Sequence, residues 1–151
     1  MTERSVKHAT FTIERVYPVS PARVFAAWAD PATKARWFAG ANAEHHELDF
    51  RVGGTEIARG RVGPKNALLT AESRFQEIVP DERIVFGTTL FEEADVATVS
   101  VTTVELAPTA DGTRLQLTQY SAFLDGREEA QWREQGTNDQ LTALGKELTN
   151  E

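Results

Sequence analysis

The sequence predicts an α+β fold in which a curved antiparallel sheet of about seven strands wraps around one long C-terminal helix. Three observations predict it. Between residues 48 and 123, apolar residues recur with a period of two, and turn residues interrupt them at hairpin-length intervals. After Gly126 the composition changes to residues that favour helix, as far as Leu148. Ahead of the alternating region, one strand-like segment is followed by two helix-start signals.

The N-terminal part predicts one strand and two short helices. Residues 10–17 are rich in β-branched and aromatic residues, which favour a strand. Ser20 and Pro21 then supply an N-cap and a proline at the first helical position, and Asp30 and Pro31 repeat this signal. The expected helices are one with Val24, Phe25 and Trp28 on a common face and a second over residues 33–38 that ends at Gly40.

The middle of the chain predicts six further strands joined by hairpins. Leu48, Phe50 and Val52 alternate with polar residues, and the pair Gly53-Gly54 follows as a turn because both positions tolerate a positive φ. Proline, glycine, asparagine and aspartate mark the later turns. The expected strands after the first turn are residues 55–62, 68–79, 83–91, 96–106 and 113–123.

The C-terminal helix is expected to be the element that the sheet encloses. A sheet of this size has one apolar face, and only this helix is long enough to cover it. At 100° per residue one stripe of the helix carries several leucines, while Trp132 falls on the opposite side. The residues of the stripe are Ala130, Glu134, Thr137, Leu141, Leu144 and Leu148.

Length and composition bound the possible functions. The chain of 151 residues is expected to form a single domain over residues 1–151. Its net charge of −7 disfavours nucleic acid and anionic membrane surfaces as partners. It has no cysteine, no signal-peptide pattern and no apolar run of the about 18–20 residues that a membrane span needs. We therefore expect a cytoplasmic location, as a monomer or a homodimer.

Four ordered motifs resemble a known family over about residues 10–148. They are "FTIERVYPVSPARVFAAWADPATKARWF" at 11–38, "LDFRVGG" at 48–54, "FQEIVPDERIVF" at 75–86 and "GTRLQLTQ" at 112–119. Together they resemble the AHSA1-like family (activator of Hsp90 ATPase homolog) of the START/SRPBCC superfamily. The resemblance implies the helix-grip fold, with a cavity between the sheet and the C-terminal helix.

The sequence departs from this family's pattern at two positions. Members commonly carry Gly-Trp in the last helix, where this chain has Gly136 and Thr137. The strand motif usually ends in histidine, where this chain has Gln119. The resemblance implies that both positions face the cavity, which should therefore be less aromatic and lack an imidazole there.

Aromatic and polar residues on the expected inner surfaces are the candidates for a ligand site. His45 and His46 are neighbours on an extended segment and point to opposite faces, so we expect no metal site, and no cofactor motif is present. No nucleophile–base pattern is visible either, and no catalytic residue is assigned. The cavity candidates are Trp28, Trp37, Phe38, His46, Phe50, Phe75, Phe86, Gln119, Tyr120, Glu134, Thr137 and Leu141.

Three functions follow as hypotheses. The first is a non-enzymatic module that binds a small hydrophobic or amphipathic ligand, because Thr137 in place of a large aromatic leaves space in the core. The second, implied by the resemblance, is an interaction with an Hsp90-like chaperone in the stress response. The third is a cyclase- or hydrolase-like enzyme, for which Glu134, His46 and Tyr120 are the acid–base candidates.

Overall fold

A computed structural model of the protein describes residues 3–40 and 43–149. Seven strands and one long helix dominate it, and short helices follow the first strand. In chain order the elements are β1 (Val6–Tyr17), α1 (Pro21–Ala29), α2 (Pro31–Lys34), a π-helical turn (Ala35–Ala39), β2 (Ala43–Leu48), β3 (Thr55–Val62), β4 (Ala67–Val79), β5 (Arg83–Glu92), β6 (Asp95–Thr109), β7 (Gly112–Leu124) and α3 (Ala130–Thr149).

The seven strands form one antiparallel sheet, as the alternating pattern predicts. Its order is β1-β7-β6-β5-β4-β3-β2, so strands β2 to β7 are neighbours in sequence order and β1 pairs with β7. Register shifts interrupt the pairing at three places, in β2, in β4 and between β5 and β6. Such irregularities bend strands, which suits a sheet that curves around a helix.

The hairpin between β2 and β3 differs from its predicted form. The strand expected over residues 48–52 was wrong in position: β2 covers Ala43–Leu48, and residues 49–54 form the turn. Gly53 adopts φ +83°, and a Cβ at Gly54 would lie 2.1 Å from the Asp49 carbonyl oxygen. Both glycines also hydrogen-bond with the backbone of Phe75 on β4. The turn is therefore longer than two residues because it folds onto the next strand.

Local capping explains the tandem helices. The Ser20 hydroxyl accepts a hydrogen bond from the backbone N–H of Arg23, and the Asp30 carboxylate accepts one from the N–H of Thr33. The predicted second helix is longer than expected: it begins at Pro31 and continues as the π-helical turn, which Gly40 ends at φ +78°.

Helix α3 packs onto the concave face of the sheet through its C-terminal half. Leu141, Leu144 and Leu148 are buried there, whereas no residue from 130 to 136 is buried. The Tyr17 hydroxyl of β1 donates to the carbonyl oxygen of Leu141 over 2.8 Å. Burial raises the pKa of this phenol to about 12, against a smaller opposing effect of the Arg15 charge. The predicted leucine edge of the helix is thus the edge that the sheet grips.

Residues of the sheet alternate between a buried inner face and an outer face. On β6 the inner residues include Thr102 and Val104, which are 1% and 0% exposed. The outer face carries Val99, Val101 and Tyr120, which are exposed. No helix in the described residues is long and apolar enough to cross a membrane.

Two glycines of α3 are expected to respond oppositely to alanine. A Cβ at Gly136 would have nothing within 4 Å, so Gly136→Ala should stabilise the protein by about 0.5–1 kcal/mol through helix propensity. A Cβ at Gly145 would lie 3.2 Å from Cε1 of Tyr17, whose hydroxyl is tied to the helix. Gly145→Ala should therefore give no gain or a loss. Urea unfolding of both variants measures the difference, and equal stabilisation would contradict the packing of Tyr17 on α3.

Candidate functional site

A cavity of about 340 Å³ lies between the inner face of the sheet and the N-terminal half of α3. It extends to exposed residues at its edge (Ala43, Val62 and Gly136), so it opens to solvent. Its lining comes from the tandem helices, from strands β2 to β7 and from α3. A second concavity of about 370 Å³ lies among Glu82, Arg83, Glu105 and Arg114, and no helix residue lines it. The cavity under the helix is therefore the candidate site.

The cavity exists where α3 carries small side chains. Gly136 and Thr137 both line it, directly before the stretch in which leucines fill the space between helix and sheet. The Thr137 hydroxyl donates to the carbonyl oxygen of Arg133 in its own helix, so it does not reach across to the sheet. The position that departs from the family pattern is therefore the position at which the helix stands away from the sheet.

Three aromatic residues from the tandem helices form one wall, which we call the aromatic wall: Trp28, Trp37 and Phe38. Their rings pack edge to face, with centroids 4.8 Å apart for Trp28 and Trp37 and 5.7 Å apart for Trp37 and Phe38. The Trp37 indole N–H donates to the carbonyl oxygen of Ala27 over 2.9 Å. The wall is therefore fixed in its orientation toward the cavity.

A buried lysine supports the aromatic wall from behind. Lys34 is 0% exposed, and its Nζ lies 4.4 to 5.6 Å from the ring centroids of all three wall residues. Ring faces attract a desolvated cation, which compensates part of the cost of removing the ammonium from water. The same three rings line the cavity and contact the lysine, which does not itself line it.

Glu56 and His46 complete this buried cluster. Lys34 Nζ donates to Glu56 Oε1 over 3.0 Å, and His46 Nε2 donates to Glu56 Oε2 over 2.8 Å. Burial lowers the pKa of Lys34, while the charge of Glu56 and its hydrogen bond oppose that shift. Burial alone would raise the pKa of Glu56, but Lys34 and His46 outweigh it and hold this pKa below its usual value. The cluster joins α2, β2 and β3 into one rigid corner.

The floor of the cavity is polar rather than purely apolar. Hydroxyl side chains lie directly opposite one another on β4, β5, β6 and β7, at Ser73, Thr88, Ser100 and Ser121. Ser73 bonds Thr88 over 2.7 Å and Ser100 bonds Ser121 over 2.8 Å. One row further along, the Gln119 amide donates to the Thr102 hydroxyl over 2.9 Å. Ser100 and Ser121 lie beside the cavity, whereas the other four residues line it, and we call those four the polar floor: Ser73, Thr88, Thr102 and Gln119.

An ion pair lies where α3 begins over the polar floor. Arg133 Nη2 donates to Glu128 Oε1 over 3.0 Å, and the same oxygen accepts the Thr98 hydroxyl. Both charged residues line the cavity. Within residues 3–40 and 43–149, two buried side-chain nitrogens have no hydrogen-bond partner, Trp28 Nε1 and Arg133 Nε. Both belong to residues that border this cavity.

Seven of the twelve predicted candidates line the cavity. The helices supply the aromatic wall, the strands supply Phe86 and Gln119, and α3 supplies Thr137 and Leu141. Both positions that depart from the family pattern are among them. Within the described residues, no three histidine, aspartate or glutamate side chains come together as metal ligands.

Two predicted candidates point elsewhere, and their placement was wrong. Tyr120 is 59% exposed on the outer face, because Gln119 already occupies the inward position and neighbours on a strand face opposite sides. Glu134 is exposed on α3, and Arg133 takes the place expected for it. On a helical wheel, positions 133 and 134 lie on either side of the stripe formed by Thr137 and the leucines. Helical periodicity alone therefore does not predict which of the two faces the cavity. Among the described residues, Arg133 has a side-chain partner in Glu128, whereas the Glu134 carboxylate has none.

The remaining three candidates lie in the core beside the cavity. His46 has a side chain only 7% exposed and is bound to Glu56, as expected of a hydrogen-bonded structural histidine. Phe50 and Phe75 pack edge to face with centroids 5.0 Å apart, and Phe75 contacts Phe86 in the same way. The three acid–base candidates, His46, Tyr120 and Glu134, therefore do not converge on the cavity.

The sequence interpretation missed the charged cluster and the polar floor. In the structure Leu48 pairs with Glu56, and directly paired residues share a face, so both lie on the inner face. The sequence did not give this register, because the expected turn at Gly53-Gly54 would pair other residues. The serines and threonines were similarly at inward positions of their strands. Lys34 had no such signal, because a lysine on a short helix is usually solvated.

This architecture defines a class of proteins, the helix-grip domains, in which a curved sheet holds a C-terminal helix above a cavity. The family model described as "Activator of Hsp90 ATPase homolog 1-like protein" matches residues 18–149. The chain therefore belongs to this family, within the START/SRPBCC superfamily.

Solved structures similar to this chain have the same fold. An uncharacterised protein from Rhizobium leguminosarum is 35% identical with a TM-score of 0.93, covering 99% of this chain and 100% of that one. A protein from Rhizobium loti is 48% identical with a TM-score of 0.87, covering 95% and 99%. One from Chromobacterium violaceum is 25% identical with a TM-score of 0.79, covering 94% and 99%. No functionally curated protein is significantly similar in sequence.

Removing one partner of the buried pair should destabilise the fold. Glu56→Gln leaves the Lys34 ammonium buried without a carboxylate, so we expect a loss of about 3–5 kcal/mol in the free energy of unfolding, measured with urea. The double variant Lys34→Met with Glu56→Gln removes the buried charge and should recover most of that loss. A single variant as stable as the wild type would contradict the charged cluster.

Proposed function

We propose that this protein is a non-enzymatic binding module that holds a small, mainly apolar ligand between the sheet and α3. The observation that carries the proposal is the cavity of about 340 Å³. Its size is in the range of about 300–1,000 Å³ that is typical of small-molecule sites. Most of its lining is aromatic and aliphatic, with polar side chains on the floor and at the start of α3, and such a combination is typical of small-molecule sites.

The energetics of packing support a retained cavity. At about 24 cal/mol per Å³, a dry void of this volume would cost about 8 kcal/mol, an upper limit for a cavity that opens to solvent. That is comparable with the whole stability of a domain, about 5–15 kcal/mol. One larger side chain at Thr137 would remove much of the void. The void is retained beside a well-packed leucine edge, and this favours a role for the void in ligand binding.

The fixed positions of the aromatic-wall side chains favour a binding site that is already ordered before the ligand arrives. Trp28, Trp37 and Phe38 are held by a buried cation, by one another and by the indole hydrogen bond to Ala27. Residues already ordered in the free protein lose little side-chain entropy when a ligand arrives. Gly136 and Thr137, which line the same cavity from α3, have small side chains and leave space for that ligand.

Filling the cavity should abolish binding without unfolding the protein. The probe is N-phenyl-1-naphthylamine, a neutral dye whose fluorescence rises in apolar surroundings. We expect enhancement with the wild type and at least a roughly tenfold weaker affinity for Thr137→Trp, whose thermal midpoint stays equal or rises because a void is filled. Glu134→Trp, on the exposed side of the same helix, is the matched control and should bind as the wild type does. No enhancement with the wild type, or normal binding by Thr137→Trp, would refute the proposal.

An interaction with an Hsp90-like chaperone stays a prediction that rests on the family description. One surface suits it: Val99, Val101 and Tyr120 are exposed on adjacent strands of the outer face. Because this surface lies on the opposite side of the sheet from the cavity, the two roles use separate residues.

A further inference from the structure

The polar groups around the cavity have more hydrogen-bond donors than partners. The Gln119 amide uses one of its two N–H groups on Thr102, whose own O–H has no acceptor among the described residues. Within the pair Ser73 and Thr88 one hydroxyl donates and the other O–H is left over. Since buried polar groups in proteins are almost always paired, this excess points to acceptors on a ligand.

The charges around the cavity disfavour an anion. Arg133, the cation of the inner wall, is already paired with Glu128 at 3.0 Å, and Lys34 is paired with Glu56 behind the aromatic wall. Arg59 also borders the cavity, but strand alternation directs its side chain away from the inner face. A carboxylate enclosed here would therefore be buried without a counterion of its own, which is costly.

We infer that the ligand is a neutral aromatic compound with a carbonyl or similar oxygen acceptor at one edge. Its ring lies against the aromatic wall and Phe86, where edge-to-face packing is available, and its oxygen accepts hydrogen bonds from the polar floor. This inference rests on the proposed function and adds to it the class of ligand. Thr102 and Ser73 are the floor residues whose hydroxyls are central to it.

Three shape-matched compounds separate the alternatives: 2-acetylnaphthalene, which carries a neutral acceptor, 2-naphthoate, which carries an anion, and 2-ethylnaphthalene, which carries neither. Calorimetric titration of protein into each compound at pH 7 gives the affinities. We expect the ketone to bind about tenfold more tightly than the hydrocarbon, the effect of a hydrogen bond or two, and at least tenfold more tightly than the anion.

Variants of the floor test the assignment. Thr102→Val keeps the side-chain shape, and it should weaken ketone binding about five- to tenfold while hydrocarbon binding is unchanged. Ser73→Ala on β4 is a second, smaller truncation with the same expected direction. The matched control is Thr103→Val, on the outer face of the same strand, which should alter none of the affinities. Near-ultraviolet circular dichroism checks that each variant is folded.

The outcomes distinguish the inference from the proposed function. If 2-naphthoate binds most tightly, the inferred ligand class is wrong while the binding function stands. The same holds if all three compounds bind with equal affinity and neither floor variant changes any of the affinities. If none of the three compounds binds and N-phenyl-1-naphthylamine also fails, the proposed function falls and the inference falls with it.

Discussion

The one-sided attachment of α3 to the sheet is the constraint on which the rest of the structure depends. From Leu141 onward the helix buries leucines in the concave face, and Tyr17 fixes that half through its hydrogen bond to the helix backbone. Before Thr137 no side chain of the helix is buried. The helix is rigid and is anchored over one half, and the residues next to the anchor are small. It therefore passes over the sheet without filling the space between them. The cavity follows from this geometry.

The buried cluster of Lys34, Glu56 and His46 gives the cavity its firm wall. Such a cluster contributes little net stability, because desolvation offsets much of the attraction between the charges. Its contribution is positional: it connects the tandem helices to β2 and β3 and keeps the three rings of the aromatic wall in one arrangement. The wall and the gap under α3 therefore come from independent parts of the chain.

Sequence reasoning predicted the elements and the gripping edge but only part of the site. Period-two alternation identified β3 to β7, the β-branched and aromatic residues identified β1, and the caps at Ser20 and Asp30 identified the tandem helices, because these signals are local. The strand expected from Leu48 to Val52 was wrong in position, because β2 ends at Leu48. The placement of Glu134 was wrong because helical periodicity leaves two adjacent positions equivalent, and a partner distant in space decides between them. Lys34 was missed for a related reason: its burial depends on Glu56, which lies on β3, 22 residues further along the chain.

Pressurising crystals of the protein with xenon tests the central claim most directly, because this apolar gas enters preformed apolar cavities. The account predicts xenon density between the aromatic wall, Phe86 and Leu141, with the backbone of α3 unmoved. Crystals in which α3 lies against the sheet, with no xenon between them, would contradict it.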